Sequence, residues 1–419
     1  MIKNILVFPC GSEIGLEVYR SLKDQKDIKL IGASSIDDHG KFVFENYIGD
    51  IPMIDDDNFL KKIDDIVKEF KIDLIYPCMD IVLTKLKNNS FFENMVIGSS
   101  KETVNICQSK LKTYLKLENV IKTPKIYTPF NIDEFPVFSK PEIGSSGRNT
   151  FKIKNDLDLF FNIKNYPNNL LLEYLPGDEY TVDCFTNKNG VLKFISARKR
   201  SRISNGISVN VKLVEDDKIN EIAKKINETI QFNGSWFLQL KEDKNGELCL
   251  MEIASRFGGS SLIQRFLGVN LPYLNILNQY GDVEILKNNF KIEIDRSLDV
   301  KCKIDLDFDT VYIDFDDTII IDNKVNIDML KLIYHFNNTD KNVVLITKHM
   351  GVISDSLIKH KISENVFSEI IQINKNDKKY KYMKNKKSIF IDDSFSERKE
   401  VKNNLDIPVF SVDSINCLW

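Results

Sequence analysis

Two acidic strand ends and one lysine-led loop carry much of the chemistry legible in these 419 residues. The stretch VYIDFDDTIIIDN, residues 311–323, passes from apolar residues straight into Asp314, Asp316 and Asp317, and SIFIDD likewise ends on Asp392 and Asp393. An apolar run closing on carboxylates suits a buried strand whose end faces an opening. With Asp314 and Asp316 two residues apart, a turn of the backbone lets both face that opening. The four histidines show no zinc-type spacing, so any metal is expected to be a hard cation held by oxygen.

A second set of groups lies in the middle of the chain. FPVFSKPEIGSSGRNTFKI places Lys140 at the end of an apolar strand, then a loop with Gly144, Ser145, Ser146 and Gly147. Small residues let backbone N–H groups approach phosphate oxygens, and the lysine neutralises their charge. In LLLEYLPGDEYTVDCF, the strand end Glu173-Tyr174-Leu175 could bond an adenine through its main chain, and Glu179 or Asp183 could accept from ribose hydroxyls. GSWFLQLKEDKNGELCLMEIASRFGGSS reads as a hairpin with Gln239 and Glu252 on facing strands, a pair suited to Mg2+, and Arg256 beyond them suits a γ-phosphate.

These groups need scaffolds, and the length implies several, because single cores stop growing near roughly 250 to 300 residues. With 42% hydrophobic and 28% charged residues the composition is that of globular protein, and a net charge of −3 argues against general nucleic-acid binding. No apolar run is long enough to span a membrane. The opening MIKNILVFPCGSEIG reads as a first strand, not a signal peptide. GSEIG lacks the GxGxxG spacing of a dinucleotide site. Seven scattered cysteines, Cys10, Cys78, Cys107, Cys184, Cys249, Cys302 and Cys417, fit reduced core residues of a cytoplasmic protein.

The first hundred residues alternate apolar strands with amphipathic helices, the rhythm of a parallel sheet. Residues 104–122 read as one helix, and TPKIYTP as a linker. Strands dominate between about 130 and 300, as in an α+β unit, and βαβ rhythm returns after Asp309, with helices near 326–338 and 352–360. The lysine-rich run 375–387 reads mostly as a solvated helix face, with KYKYM opening a helix.

Residues 1 to about 300 resemble the ATP-grasp superfamily, specifically carboxylate-amine ligases with a Rossmann-like pre-grasp domain. The resemblance implies that Lys110 and Lys140 contact phosphates and that residues 144–148, with Ser145, Ser146 and Gly147, form a closing flap. It further implies Glu173, Tyr174 and Leu175 as adenine hinge, Glu179 as ribose ligand, Gln239 and Glu252 at the metal, and Arg256 at the γ-phosphate. The family usually reads Glu-x-Asn-x-Arg where this chain has EIASR, so Ala254 removes a usual Mg2+ ligand and a water-completed site is expected. Arg198, Arg200 and Arg202 fall where such ligases often bind an acidic substrate or acyl phosphate; an exposed basic strand would read the same way.

The acidic strand ends resemble the DxDx[TV] motif of haloacid-dehalogenase-type phosphatases, followed in order by Thr347, a lysine and Asp392-Asp393. The resemblance implies Asp314 as nucleophile and Asp316 as acid and base. Asp314, Asp392 and the Asp316 carbonyl would hold Mg2+, with Thr347 on a phosphoryl oxygen and Lys379, or alternatively Lys378, balancing charge. Only 28 residues separate Thr318 from Thr347 and 44 separate Thr347 from Asp392, too few for a large cap.

The expectation is therefore an α/β and α+β multidomain chain: a Rossmann-like pre-grasp domain at 1–105, an ATP-grasp domain at 106–304 and a capless Rossmannoid haloacid-dehalogenase-like domain at 305–419. It would join a small carboxylate to an amine using ATP and Mg2+, with Mn2+ as an alternative, and hydrolyse a phosphoester. A homodimer is compatible with this reading; nucleic-acid and membrane partners are not expected. The rivals are a ligase with a regulatory phosphatase-like domain and a non-enzymatic nucleotide sensor.

Overall fold

The computed structural model describes residues 2–419 apart from 24, 145–146, 205–206, 289–291, 298–305, 411, 413–414, 416–417 and 419. The chain divides into two compact units, Met1–Asp299 and Val300–Trp419.

Among the described residues the first unit holds three sheets. One is parallel, in the spatial order Asn46–Ile48, Ile28–Ala33, Lys3–Phe8, Leu74–Pro77. Its central strand is apolar on both faces, as a covered parallel strand must be. Ile5 and Val7 pack with Phe185, Phe257, Leu271, Leu274, Ile276 and Val283, while Leu6 and Phe8 pack with Phe59, Ile63 and Ile66. The GSEIG segment is a strand-to-helix turn. Ser12 caps the helix Glu13–Leu22 by accepting from the Gly15 N–H, and a Cβ at Gly15 would lie 2.5 Å from the Cys10 carbonyl oxygen.

The other two sheets are antiparallel. A four-stranded sheet runs Ile126–Tyr127, Asn169–Glu173, Val137–Pro141, Phe151–Ile153, and a six-stranded one runs Leu248–Ala254, Gly234–Glu242, Glu179–Thr186, Leu192–Ser204, Ile207–Val214, Glu293–Asp295. Residues far apart in sequence tie this half to the parallel sheet. Arg265 donates to the buried Glu17 at 2.7 Å, and Asn270 donates to the Ser21 carbonyl at 2.7 Å.

The expected helix over 104–122 is two helices, Lys101–Gln108 and Lys110–Leu117. Ser109 interrupts them in extended backbone, and its hydroxyl caps the second helix by accepting from the Lys112 N–H. The Lys110 N–H is thereby freed to donate to the Glu142 carbonyl, a tertiary bond that periodicity does not reveal.

The second unit is a five-stranded parallel sheet in the order Glu369–Gln372, Asn342–Thr347, Thr310–Ile313, Ser388–Ile391, Val409–Phe410. Val311, Ile313, Val343, Leu345, Ile389 and Ile391 pack on one face and Tyr312, Val344, Ile346 and Phe390 on the other, the period-two pattern of a sheet covered on both sides. The helix Ile327–Asn338 covers the first face with Met329, Leu332, Ile333 and Phe336, spaced for one helical stripe, and Asn326 caps it by accepting from the Met329 N–H. Between Thr318 and Thr347 the chain makes only a short hairpin, Ile320–Ile321 with Lys324–Val325, and that helix. The run at 375–387 forms no α-helix among the described residues. It makes a single 3-10 turn, Lys379–Tyr382, with Lys379 buried, because the lysine turns inward to carboxylates and not outward to water.

Cys10, Cys78, Cys107, Cys184 and Cys249 are free and buried; Cys302 and Cys417 lie outside the described residues.

Candidate functional site

The first unit contains a cleft of about 620 Å³ where the parallel sheet meets the six-stranded one. The hairpin register sets Gln239 directly opposite Glu252, and both line the cleft with Lys110, Ala254 and Arg256. Lys110, the first residue of its helix, donates to the Gly144 carbonyl at 2.8 Å and sits 3.9 Å from Glu252. Ala254 presents no oxygen to the cleft.

Lys140 lies at the end of its strand, buried, donating to the Met251 carbonyl at 2.9 Å with its ammonium 5.5 Å from the centre of the Tyr114 ring. Burial pushes its pKa down to about 8, opposed by Glu252 and reinforced by Lys110. It shares a smaller cavity of about 50 Å³ with Glu173, Tyr174, Leu175 and Lys241. Glu179 is paired with Arg200, and Lys241 lies 3.8 Å from it.

Of the loop residues, Gly147 takes a left-handed φ of 65° and its carbonyl accepts from Thr150. Ser145 and Ser146 lie outside the described residues.

The three arginines separate. Arg200 lines the cleft. Arg198 borders it too, but its guanidinium is 1% exposed and donates to both oxygens of Asp183, at 3.1 and 2.8 Å, and to Ser261 at 3.2 Å. Asp183 also accepts from Ser261 and Gln264. The substrate role expected for Arg198 is thus corrected to a buried anchor. Asp183 is no free ribose acceptor, since a buried arginine requires its carboxylate. Arg202 leaves the cleft altogether. A register shift between Arg200 and Arg202 breaks the strand's alternation, and Arg202 makes two bonds to Asp295 at 2.9 and 2.7 Å on the exposed edge.

Arg256 is held by Asp80, at 2.8 Å from Nε and 2.5 Å from Nη2. Burial works against its charge, but Asp80 outweighs this and raises its pKa. Sequence reasoning missed Asp80. Its signal is the same as that of the other acids: Met79-Asp80 follows the end of strand Leu74–Pro77 and opens the helix Asp80–Lys87.

In the second unit, adjacent parallel strands bring the predicted groups to one edge. Asp314 follows the central strand and Asp392 follows its neighbour, and the Lys379 ammonium donates to both, at 2.5 and 2.6 Å. All three are buried. Burial raises the Asp314 pKa to about 7; Lys379 opposes the shift and Asp392 adds to it. Thr347, fully buried, ends the strand on the other side, and its hydroxyl accepts from the His349 N–H at 3.0 Å. A left-handed Asp317, φ 54°, turns the chain immediately after Asp316.

The carboxylates that could converge on a cation are Asp314, Asp392 and Asp393, with oxygens within 4.8 Å of one another. Asp393 belongs to the acidic pair noted in the sequence, where it had no role. The Asp316 side chain is not in that cluster. It faces His349, whose Nδ1 lies 2.9 and 3.0 Å from its two oxygens.

The family model described as ATP-grasp in the biosynthetic pathway with Ter operon matches residues 165–301. Among solved structures, the chain is similar to the biotin carboxylase domain dimer of Hydrogenobacter thermophilus 2-oxoglutarate carboxylase in complex with MgADP, ADP and bicarbonate, at 16% identity over 69% of this chain and 72% of that one, with a TM-score of 0.58. It is similar to N5-carboxyaminoimidazole synthetase from Staphylococcus aureus complexed with ADP, at 18% identity, 68% and 79% coverage and a TM-score of 0.57. L-amino acid ligase from Bacillus licheniformis gives 16% identity, 67% and 75% coverage and a TM-score of 0.54. No curated protein matches in sequence. Among the described residues no helix is long and apolar enough to cross a membrane. The chain contains an ATP-grasp fold.

Proposed function

We propose that the chain is a bifunctional enzyme in which an ATP- and Mg2+-dependent ligase joins a small carboxylate to an amine through an acyl phosphate, and a second site hydrolyses a phosphate monoester. The ligase reading rests on one observation above all: Gln239 and Glu252, paired across a hairpin, face a cleft that also receives Lys110 and Arg256. Similar structures carry ADP or MgADP. An all-oxygen donor pair fits a hard cation, which would neutralise charge on the transferring phosphoryl group.

Lys110 and Lys140 would hold phosphates, Glu173 to Leu175 the adenine and Glu179 the ribose. Arg256 and Arg200 would receive the acyl phosphate. Residues 1–105 would act as the pre-grasp domain and 106–304 as the grasp domain. The substrates would be small molecules in the cytoplasm, consistent with the free buried cysteines.

For residues 305–419 the carrying observation is the Lys379 bridge between Asp314 and Asp392 at the edge of a parallel sheet. Such an arrangement fits a capless phosphatase of the haloacid-dehalogenase type. Asp314 would take the phosphoryl group, Asp316 would move the proton, Thr347 would bond a phosphoryl oxygen, and Asp314, Asp392 and Asp393 would hold Mg2+. The cation would let an anionic nucleophile approach an anionic ester.

Screening ADP release against carboxylates and amines tests the ligase. Amine-dependent ADP release is expected. Nucleotide binding without turnover on any pair would favour the sensor.

A further inference from the structure

The contact that nothing above uses is His349. Its imidazole sits between two oxygen partners: Nδ1 is 2.9 and 3.0 Å from the Asp316 oxygens, and Nε2 is 2.7 Å from Ser356 Oγ. Its own backbone is fixed as well. The N–H donates to Thr347 Oγ1 at 3.0 Å and the carbonyl accepts from Gln372 at 3.1 Å. The Phe315 ring meets the imidazole edge-on, with centroids 5.2 Å apart. A histidine clamped at both ring nitrogens and at its backbone has little freedom, while the Asp316 side chain it holds is 53% exposed and makes no other side-chain hydrogen bond among the described residues. A half-exposed carboxylate with only water around it would sample several rotamers.

We propose that His349 is the positioning residue of the phosphatase site: it holds the Asp316 carboxylate toward the leaving oxygen, with Ser356 fixing the ring. The inference rests on reading the second unit as a phosphatase. In the first half-reaction an Asp314 oxygen bonds to phosphorus as the bond to the ester oxygen breaks, and that oxygen takes a proton from Asp316. In the second, a water oxygen bonds to phosphorus, its proton passes to Asp316 and the Asp314–phosphorus bond breaks, releasing inorganic phosphate. Asp316 must therefore face the same point twice. Between the two half-reactions Asp316 has given up its proton and can only accept, so Nδ1 presents its N–H to one oxygen, leaving the other to carry the proton in the first step. For a neutral ring Nε2 is then the acceptor, and the Ser356 hydroxyl donating to it selects that tautomer.

The role has a signature that mere structural support lacks. Proton donation matters most for a basic leaving oxygen and least for an acidic phenol, so losing the clamp should discriminate between esters. The test compares full-length wild type, His349→Ala, His349→Asn and Ser356→Ala on 4-nitrophenyl phosphate and on glycerol 3-phosphate, with Asp314→Asn as a control.

For His349→Ala, kcat/KM, which reports the first half-reaction alone, should fall roughly 10- to 100-fold on the alkyl ester and by less than about threefold on the aryl ester. His349→Asn, whose amide N–H can approach the position of Nδ1, should recover much of the alkyl activity, and Ser356→Ala should lose less than His349→Ala. If His349→Ala fails to fold, the Asn and Ser356 variants decide by the same ester comparison. Equal loss of kcat/KM on both esters, or no change, would overturn the proposal while leaving the phosphatase reading intact. No hydrolysis by wild type, or undiminished hydrolysis by Asp314→Asn, would defeat the phosphatase reading and this inference with it.

Discussion

The two candidate sites hold their charged groups in opposite ways. In the second unit the key groups end neighbouring strands of one parallel sheet, and a single buried lysine already bridges two of the carboxylates. In the first unit the groups come from both antiparallel sheets and from helix starts, and the cations rest on internal partners. Lys110 is on the Gly144 carbonyl, Lys140 on that of Met251, and Arg256 on Asp80. One site is built before ligand arrives; the other must exchange protein contacts for ligand contacts. Preorganisation favours electrostatic stabilisation without rearrangement at the moment of reaction, whereas exchange makes turnover depend on what the ligand displaces.

Substitutions can break this contrast. The largest effect expected is from Asp314→Asn, which should lower phosphate-ester hydrolysis by at least about 10³-fold, since covalent catalysis loses its nucleophile. ADP formation should be unchanged, and a parallel loss of both activities in a folded variant would refute two separate sites. Lys140→Met should lower ADP formation by about 10²-fold, the scale of losing one donor that stabilises developing charge, and leave ester hydrolysis as it was.

The exchange model also sets the sign of a proton effect. Burial holds Lys140 near a pKa of about 8, and nucleotide phosphates would favour the charged form. Binding at pH 8 should therefore take up about half a proton, fading as pH falls well below 8, where the ammonium is already charged. Calorimetry in buffers of different ionisation enthalpy reads this directly, and Lys140→Met should abolish it.

Smaller shifts sharpen the comparison. Ala254→Asn should restore an oxygen to the cleft and lower the Mg2+ midpoint for ADP formation by a few-fold, roughly the scale of one added ligand in a site otherwise completed by water. A titration that does not move would mean that residue 254 does not face the metal. Arg202→Ala should change ligase kcat/KM by less than about twofold and leave stability nearly unchanged, because its ion pair with Asp295 is exposed. A large loss of kcat/KM would return Arg202 to the substrate.

What the sequence disclosed follows the same divide. The opposition of Gln239 and Glu252 is local to one hairpin, but it needs a register shift between Gln239 and Leu240, without which the turn would set Gln239 opposite Met251. Asp314, Thr347 and Asp392 were legible because each ends an apolar run, and strand ends of a parallel sheet gather at one edge. Arg198 and Arg202 look alike in sequence. Telling them apart required a register shift after Arg200 and partners at Asp183, Ser261 and Gln264. His349 could not be found from spacing, since it acquires its role from Asp316 on a different element; Asp80 follows a strand end like the other acids, but its role depends on Arg256, 176 residues away. Lys379 was legible by order among the motifs, yet the helix expected around it is a single turn, because inward charge pairing outweighed the solvated pattern of its lysine neighbours.

The cluster that covers one face of the first sheet has a consequence for synthesis. Ile5 and Val7 emerge from the ribosome early, but Phe257, Leu271, Leu274, Ile276 and Val283, which pack with them, lie some two hundred and fifty residues later. At about 5 to 20 residues per second, the nascent sheet waits on the order of ten to fifty seconds with that face covered only in part, by Val18, Leu22 and Phe44. The N-terminal hundred residues are thus a natural client for a holdase chaperone during translation, and a fragment ending near residue 105 should aggregate where the chain through 299 remains dispersed.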